Sequence, residues 1–155
     1  MMDADENFMR HALELAQLAY NANEVPIGCI IVLNGKIIGT GYNQRNTLKN
    51  TLKHAEIIAI DQACAFLNDW RLDDCTMYVT LEPCPMCAGA ILQSRLPRLV
   101  YGAPNPKAGA VGSLLNILND TRFNHICEIT TGTLENECAN LMKSFFASLR
   151  KQPHA

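Results

Sequence analysis

Cys84 and Cys87, in TLEPCPMC (residues 80–87), stand three residues apart with Pro83 before them and Pro85 between. Thiols at that spacing serve three chemistries: half of a structural zinc finger, a redox pair, or part of a catalytic metal site. A structural zinc site takes four protein ligands, and the chain has no second Cys-x2-Cys and no His-x3–5-His. A redox pair of the thioredoxin kind has a tryptophan just before it, and Cys84 does not. Four histidines remain as partners: His11, His54, His125 and His154. His54 stands in KHAE, with Glu56 two residues on. If both motifs open helices that follow strands, the two helix starts meet at one edge of a sheet. His54, Cys84 and Cys87 then give three ligands and leave a fourth position for water, the arrangement of a catalytic zinc. Glu56 beside such a water is a general base and acid.

The elements that must position these residues are legible from periodicity. Apolar side chains at helical spacing (Phe8, Ala12, Leu15, Ala16, Ala19) predict an amphipathic helix over 5–22. In VPIGCIIVLNGKIIGTGYN, two β-branched runs flank Asn34-Gly35, the signal of a hairpin with a type I′ turn. A helix is expected from His54, a strand over 76–81, a mostly apolar helix over 85–95 and a strand over 98–103. Proline on either side of Cys84 suits a helix start, where a missing N–H costs little, and the unpaired N–H groups there favour thiolate. Residues 104–124 hold two prolines and two glycines and show no period before LLNIL, read as one helical turn. So long an irregular connection is usually functional. A last strand over 126–131 and a helix over about 135–150 complete the chain. A hairpin followed by alternating helices and strands predicts an α/β sandwich with a mixed sheet.

At 155 residues the chain is expected to be one domain, 1–155, with a substantial core. MMDADENFMR has neither the basic start nor the apolar stretch of a signal peptide, and no apolar run is long enough to span a bilayer. Seven cysteines, five of them in no small-scaffold spacing, fit a reducing compartment where thiols act as small hydrophobes. A cytoplasmic protein without a membrane partner is the expectation. The net charge of −2 speaks against nucleic acid, but its distribution does not. Ten of the 13 Lys and Arg lie in three stretches without a single acid, 36–53, 95–107 and 143–151, and can gather on one face.

His-x-Glu followed by Pro-Cys-x-x-Cys is the signature of zinc nucleobase deaminases. Beyond it, VPIGCIIV, HAEIIAI, YVTLEPCPMCAGAI, RLVYGA, KAGAVGSL, Asn124-His125 and Phe145-Phe146 make the chain resemble the bacterial tRNA-specific adenosine deaminases over roughly residues 5–150. That family belongs to the zinc cytidine/deoxycytidylate deaminase superfamily. The resemblance implies a three-layer α/β/α sandwich with a mixed five-stranded sheet, cytidine deaminase-like. It implies one Zn2+ per subunit on His54, Cys84 and Cys87, with Glu56 carrying the proton in hydrolysis of adenosine to inosine at the tRNA wobble position. The partner it implies is a tRNA anticodon stem-loop, held by a homodimer. Asn43 matches the family's pocket asparagine, Lys107 a residue near the RNA backbone, Phe145 and Phe146 a platform for loop bases, and Arg150 a phosphate contact. From the sequence alone, Asn43 could equally just end a hairpin strand, and one of the two phenylalanines is expected in the core.

Two departures stand out. Asn105 replaces an Asp that in the family lies near the target sugar, and the lost charge is expected to loosen discrimination between RNA and DNA. An unchanged ratio of activities on tRNA and single-stranded DNA in Asn105→Asp would remove that expectation. Lys53 adds charge where the family commonly has Ala before His-Ala-Glu. Few polar residues on any side of the 85–95 helix mean burial on both faces or a subunit contact. A free-base (guanine-type) deaminase with the same zinc core is the nearest alternative. A non-catalytic RNA-binding subunit and a purely structural zinc protein are further ones.

Overall fold

The computed structural model describes residues 3–151. Helix α1 (Ala4–Asn21) opens on Asp3, whose carboxylate accepts the Glu6 N–H at 2.8 Å. A hairpin follows, β1 (Gly28–Leu33) and β2 (Lys36–Tyr42). Its turn has Asn34 and Gly35 both at positive φ, 50° and 78°, as a type I′ turn requires. Then come α2 (Ala55–Leu67), β3 (Cys75–Leu81), α3 (Pro85–Gln93), β4 (Arg98–Ala103), a 3-10 turn (Ile117–Asn119), β5 (Glu128–Thr131) and α4 (Glu135–Arg150).

The strands form one mixed five-stranded sheet in the order β2-β1-β3-β4-β5. The β1–β2 and β1–β3 pairs are antiparallel, and β3–β4 and β4–β5 are parallel. Alternation along the strands sends side chains to two cores. Ile31, Met77, Val79 and Leu99 pack with Ala59 and Ala63 of α2 and Ala88 and Ile91 of α3. Ile30, Tyr78 and Val100 pack on the other face with Met9 and Ala12 of α1 and Cys138 of α4. The result is helix pairs on both faces of a sheet, the expected three layers. Full burial of each Ile, Met or Leu contributes about 1.5–3 kcal/mol.

Close helix–sheet contact depends on small residues. A Cβ on Gly28 would collide with the backbone at Ala12 of α1, and one on Gly41 with the backbone at Ala55 of α2. Both glycines lie at the end of the hairpin from which the chain enters the functional site.

Observed boundaries differ from expectation by more than one residue in three places. The final strand starts at Glu128 rather than 126, α3 stops at Gln93, and the helical turn in 104–124 falls on Ile117–Asn119. Asn119 explains the last shift, since its side-chain N–H donates to the Cys127 carbonyl at 3.0 Å and fixes the turn against the following strand. Complete burial of α3 is not what the fold provides: Cys87, Ala88, Ile91 and Leu92 are buried, while Pro85 and Gln93 are exposed and Met86, Gly89 and Ala90 half-buried. Among the described residues no helix is long and apolar enough to cross a membrane.

Candidate active site

His54 and Cys84 are the N-cap residues of α2 and α3, both in extended conformation, and neither side chain caps its own helix. Each side chain is thereby free for another partner while its backbone starts a helix. Pro85 at the first position of α3 fixes that start without losing a hydrogen bond. One turn on, Cys87 is fully buried. The His54 Nδ1 atom lies 3.6 Å from Cys84 Sγ and 3.5 Å from Cys87 Sγ, and the three ligand atoms lie within 4.8 Å of one another. Zinc bonds of about 2.3 Å to sulfur and about 2.05 Å to nitrogen, at the tetrahedral angle, separate N from S by about 3.5 Å. The observed separations are edges of that tetrahedron, so this donor set fits zinc.

Electrostatics favour the same group. The hydrogen bond from the Cys87 thiol, and then that from His54, outweigh the cost of burial and hold the Cys84 thiol down to about 4. Cys87, as the donor to that thiolate, is pushed far above the ordinary thiol range. The hydrogen bond with Cys84 raises the imidazole of His54. A cluster that already stabilises one thiolate and offers a second thiol and an imidazole is prepared for a divalent cation.

Glu56, in the first turn of α2, is 3% exposed. Burial pushes its carboxyl up to about 7; its own N–H pulls the other way, and the negative charge on Cys84 adds to the rise. A carboxyl poised near neutrality can both take and give a proton.

Asn43 directly follows β2 and is almost buried. Its Oδ1 accepts the Ala55 N–H at 2.9 Å, at the first turn of α2, so the amide is fixed with its NH2 as the remaining donor. Asn43 therefore ends a strand, and its amide is fixed by the helix that carries Glu56.

Two loops flank the cluster, and each is tied down by a buried carboxylate that sequence reasoning missed. Glu24, 2% exposed, accepts the N–H groups of Asn46 at 3.2 Å and Thr47 at 2.6 Å and the Thr47 hydroxyl at 2.7 Å. Glu82, 1% exposed, accepts the N–H groups of Asn105, Val111 and Ser113, each at 3.0 Å, and the Ser113 hydroxyl. Burial alone would raise both carboxyls. These hydrogen bonds outweigh it and hold both below their ordinary value. The available signal was an acid inside an apolar stretch, NEVPIG and VTLEPC, where a solvated charge has no place.

The remaining expected residues separate. Asn105 is half-buried and its Oδ1 accepts the Ala108 N–H at 3.2 Å, forming a local turn whose exposed tip is Lys107. Phe145 is core, 4% exposed and edge-on to Tyr20, whereas Phe146 is 38% exposed. The Arg10–Glu137 ion pair and the Tyr20–Phe145 contact run α4 in the direction of α1. The end of α4, with Phe146 and Arg150, thus lies at the sheet end where α1 leads into β1. His11 faces Glu14 on the surface of α1, His125 bonds the Leu96 carbonyl at 2.8 Å, and His154 lies outside the described residues.

The MafB19-like deaminase family matches residues 2–150. A tRNA-specific adenosine deaminase of Bacillus subtilis (strain 168) is 47% identical over 154 residues, 99% of this chain and 96% of the relative. A solved structure from studies of A-to-I editing by tRNA:A34 deaminases superposes with a TM-score of 0.84 at 41% identity, covering 87% of this chain and 98% of the other. A guanine deaminase of Nitrosomonas europaea superposes with a TM-score of 0.81 at 25% identity, over 95% of this chain and 87% of the other. The fold is thus common to deaminases of different substrates, but the identity is much higher on the tRNA side. The chain belongs to the tRNA-specific adenosine deaminase family.

Proposed function

We propose that residues 1–155 form one cytoplasmic deaminase domain that converts adenosine to inosine, with release of ammonia, at the wobble position of tRNA anticodons. The observation that carries this reading is the triangle of His54, Cys84 and Cys87 at zinc-tetrahedron spacing, with the buried Glu56 on the first turn of the same helix start. His54, Cys84 and Cys87 would hold one Zn2+, which would supply Lewis-acid activation of a water near neutral pH. Glu56 takes a proton from the attacking water and delivers it to N1 of the adenine as C6 is attacked. The same carboxyl then carries the second proton to the departing amino group, so that water is consumed and ammonia leaves. Asn43 donates from its amide to the purine and holds the ring in register.

The base must be unstacked to reach this position, which suits an anticodon loop better than a duplex. Lys107, Asn105, Phe146 and Arg150 supply the outer contacts with backbone, sugar and loop bases; Phe145 supports Phe146 from the core at 5.4 Å. The half-buried outer face of α3 is the contact surface of a homodimer. The higher identity to the tRNA-specific relatives favours tRNA over free guanine.

Zinc-loaded protein and its Glu56→Ala variant, incubated with unmodified tRNA transcripts bearing A at the wobble position, test the proposal by inosine content. Inosine is expected from the wild type, with a loss of at least about a thousandfold in the variant. Absence of inosine from the wild type, with zinc confirmed by metal analysis, would overturn the tRNA assignment, and turnover of free guanine would replace it.

A further inference from the structure

Glu24 and Glu82 are unusual because neither meets a cation within its hydrogen-bond shell. Each carboxylate is nearly inaccessible and is held by N–H and hydroxyl donors from a single loop, with the charge of Arg45 in the same loop adding at longer range to Glu24. Burying an anion costs desolvation, and here that cost is offset by donors whose positions the anion in turn fixes.

The two loops share a relation to the site. Residues 44–53 join Asn43 to His54, the two residues whose side chains are expected to meet purine and metal. Among the described residues, the other hydrogen bonds of this segment close within 43–54: Gln44 N–H to the Lys53 carbonyl at 3.0 Å, Leu48 to Gln44 at 2.9 Å, and Asn50 to Arg45 at 3.1 Å. The segment is therefore a closed Ω-like loop whose polar anchor on the rest of the protein is Glu24. On the opposite flank, residues 105–113 begin at Asn105 and wrap around Glu82, directly before Pro83 and Cys84. Gly109 permits the wrapping, because a Cβ there would collide with the Glu82 carboxylate itself.

We propose that Glu24 and Glu82 are positioning residues: paired anionic clamps that fix the loops on either side of the metal-ligand cluster and so set where Asn43 and Asn105 stand relative to the target nucleoside. This deepens the deaminase reading and rests on it for its catalytic consequence. Neither carboxylate touches the reacting atoms. Each acts through the loop it holds.

The test uses the exposed ends of the clamps, so that folding is preserved. Thr47→Val removes one hydroxyl donor to Glu24 and Ser113→Ala one donor to Glu82, with Thr47→Ser as the conservative control and Glu24→Gln removing the charge and one acceptor oxygen. Two readouts are taken on the zinc-loaded protein: amide hydrogen exchange across 43–55 and 105–113, and kcat and KM on wobble-adenosine tRNA well below the melting temperature. Loss of a hydrogen bond to a charged group predicts about tenfold faster exchange at Ala55 in Thr47→Val and at Asn105 in Ser113→Ala. The same variants should show a fall of about tenfold in kcat, with KM changed less than about threefold. Thr47→Ser should restore both readouts, and Glu24→Gln should exceed Thr47→Val in both.

Unchanged exchange in Thr47→Val and Glu24→Gln would overturn the clamps outright. Faster exchange with an unaltered kcat would also overturn the positioning role, since the carboxylates would then be structural only. If the wild type makes no inosine, the deaminase reading fails by itself, and unchanged or faster exchange still decides whether the clamps exist.

Discussion

At the scale of single residues, Asn43 joins a structural task to the chemical one proposed for it. Asn43 caps the first turn of α2 with its oxygen, and its NH2 is the donor proposed to meet the base. The two tasks can be separated by Asn43→Asp. A carboxylate still accepts the Ala55 N–H, and the helix N-terminus favours its charge by about 0.3–1 kcal/mol, so melting temperature and zinc content should hold. The donor, however, is gone, and a negative charge faces the purine. A fall of at least about a hundredfold in kcat/KM is expected, roughly the loss of one hydrogen bond plus the penalty of an unpaired anion. If kcat/KM falls by less than about threefold, the Asn43 amide does not read the base.

At the scale of elements, the sheet end opposite the site is tied by one partly buried charge. Arg98 at the start of β4 meets Asp5 of α1 through two hydrogen bonds, at 3.0 and 2.7 Å, and also donates to Thr130 of β5; the Tyr78 hydroxyl donates to Asp5 at 2.8 Å. The Arg98 hydrogen bonds, against an opposing cost of burial and with help from Tyr78, hold the Asp5 carboxyl below its ordinary value. A carboxyl depressed on folding stabilises the fold above its unfolded value near 3.9, and that contribution disappears as pH falls through the folded value. Asp5→Asn should therefore cost about 1–2 kcal/mol at pH 7 and progressively less below about pH 4, read from urea unfolding at several pH values. A constant difference across that range would show that the pair contributes nothing through its charge.

Such long-range ties explain what was legible in the sequence and what was not. The amphipathic period of α1, the Asn-Gly turn and the Cys-x-x-Cys at a proline-marked helix start each depend on neighbours a few residues away, and the structure has them where expected. Glu24, Glu82 and Asp5 depend on partners 22 to 93 positions along the chain. In the sequence they are only acids in unusual company. The 104–124 segment was illegible for the same reason: its conformation is set by Glu82 and Cys127 rather than by its own period.

At the scale of the whole molecule, the outer face of α3 is the surface proposed for a homodimer. Its inner residues Cys87, Ala88, Ile91 and Leu92 are packed, while Met86, Gly89 and Ala90 are only half covered. A Cβ on Gly89 would meet nothing within 4 Å, so the helix is open to close approach at that position. Beside it, the turn bearing Leu114 and Leu115, 61% and 53% exposed, is joined to the start of α3 through the Ala110 N–H to Pro83 carbonyl bond at 2.9 Å. A second copy seated on this face would meet Gly89 and Ala90, and small residues let two helix backbones approach. A stable interface buries about 800 Å² per partner, so one long charged side chain at its centre should abolish it. Gly89→Arg is expected to convert the proposed homodimer to monomer, as measured by light scattering on a sizing column, with melting temperature reduced only by what the dimer contributed. Cys84 and Cys87 lie on the same short helix, so zinc content is measured alongside; a monomer that keeps its zinc places the interface on this face. A variant that remains dimeric would place it elsewhere, and a wild type that is monomeric at micromolar concentration would remove the homodimer altogether.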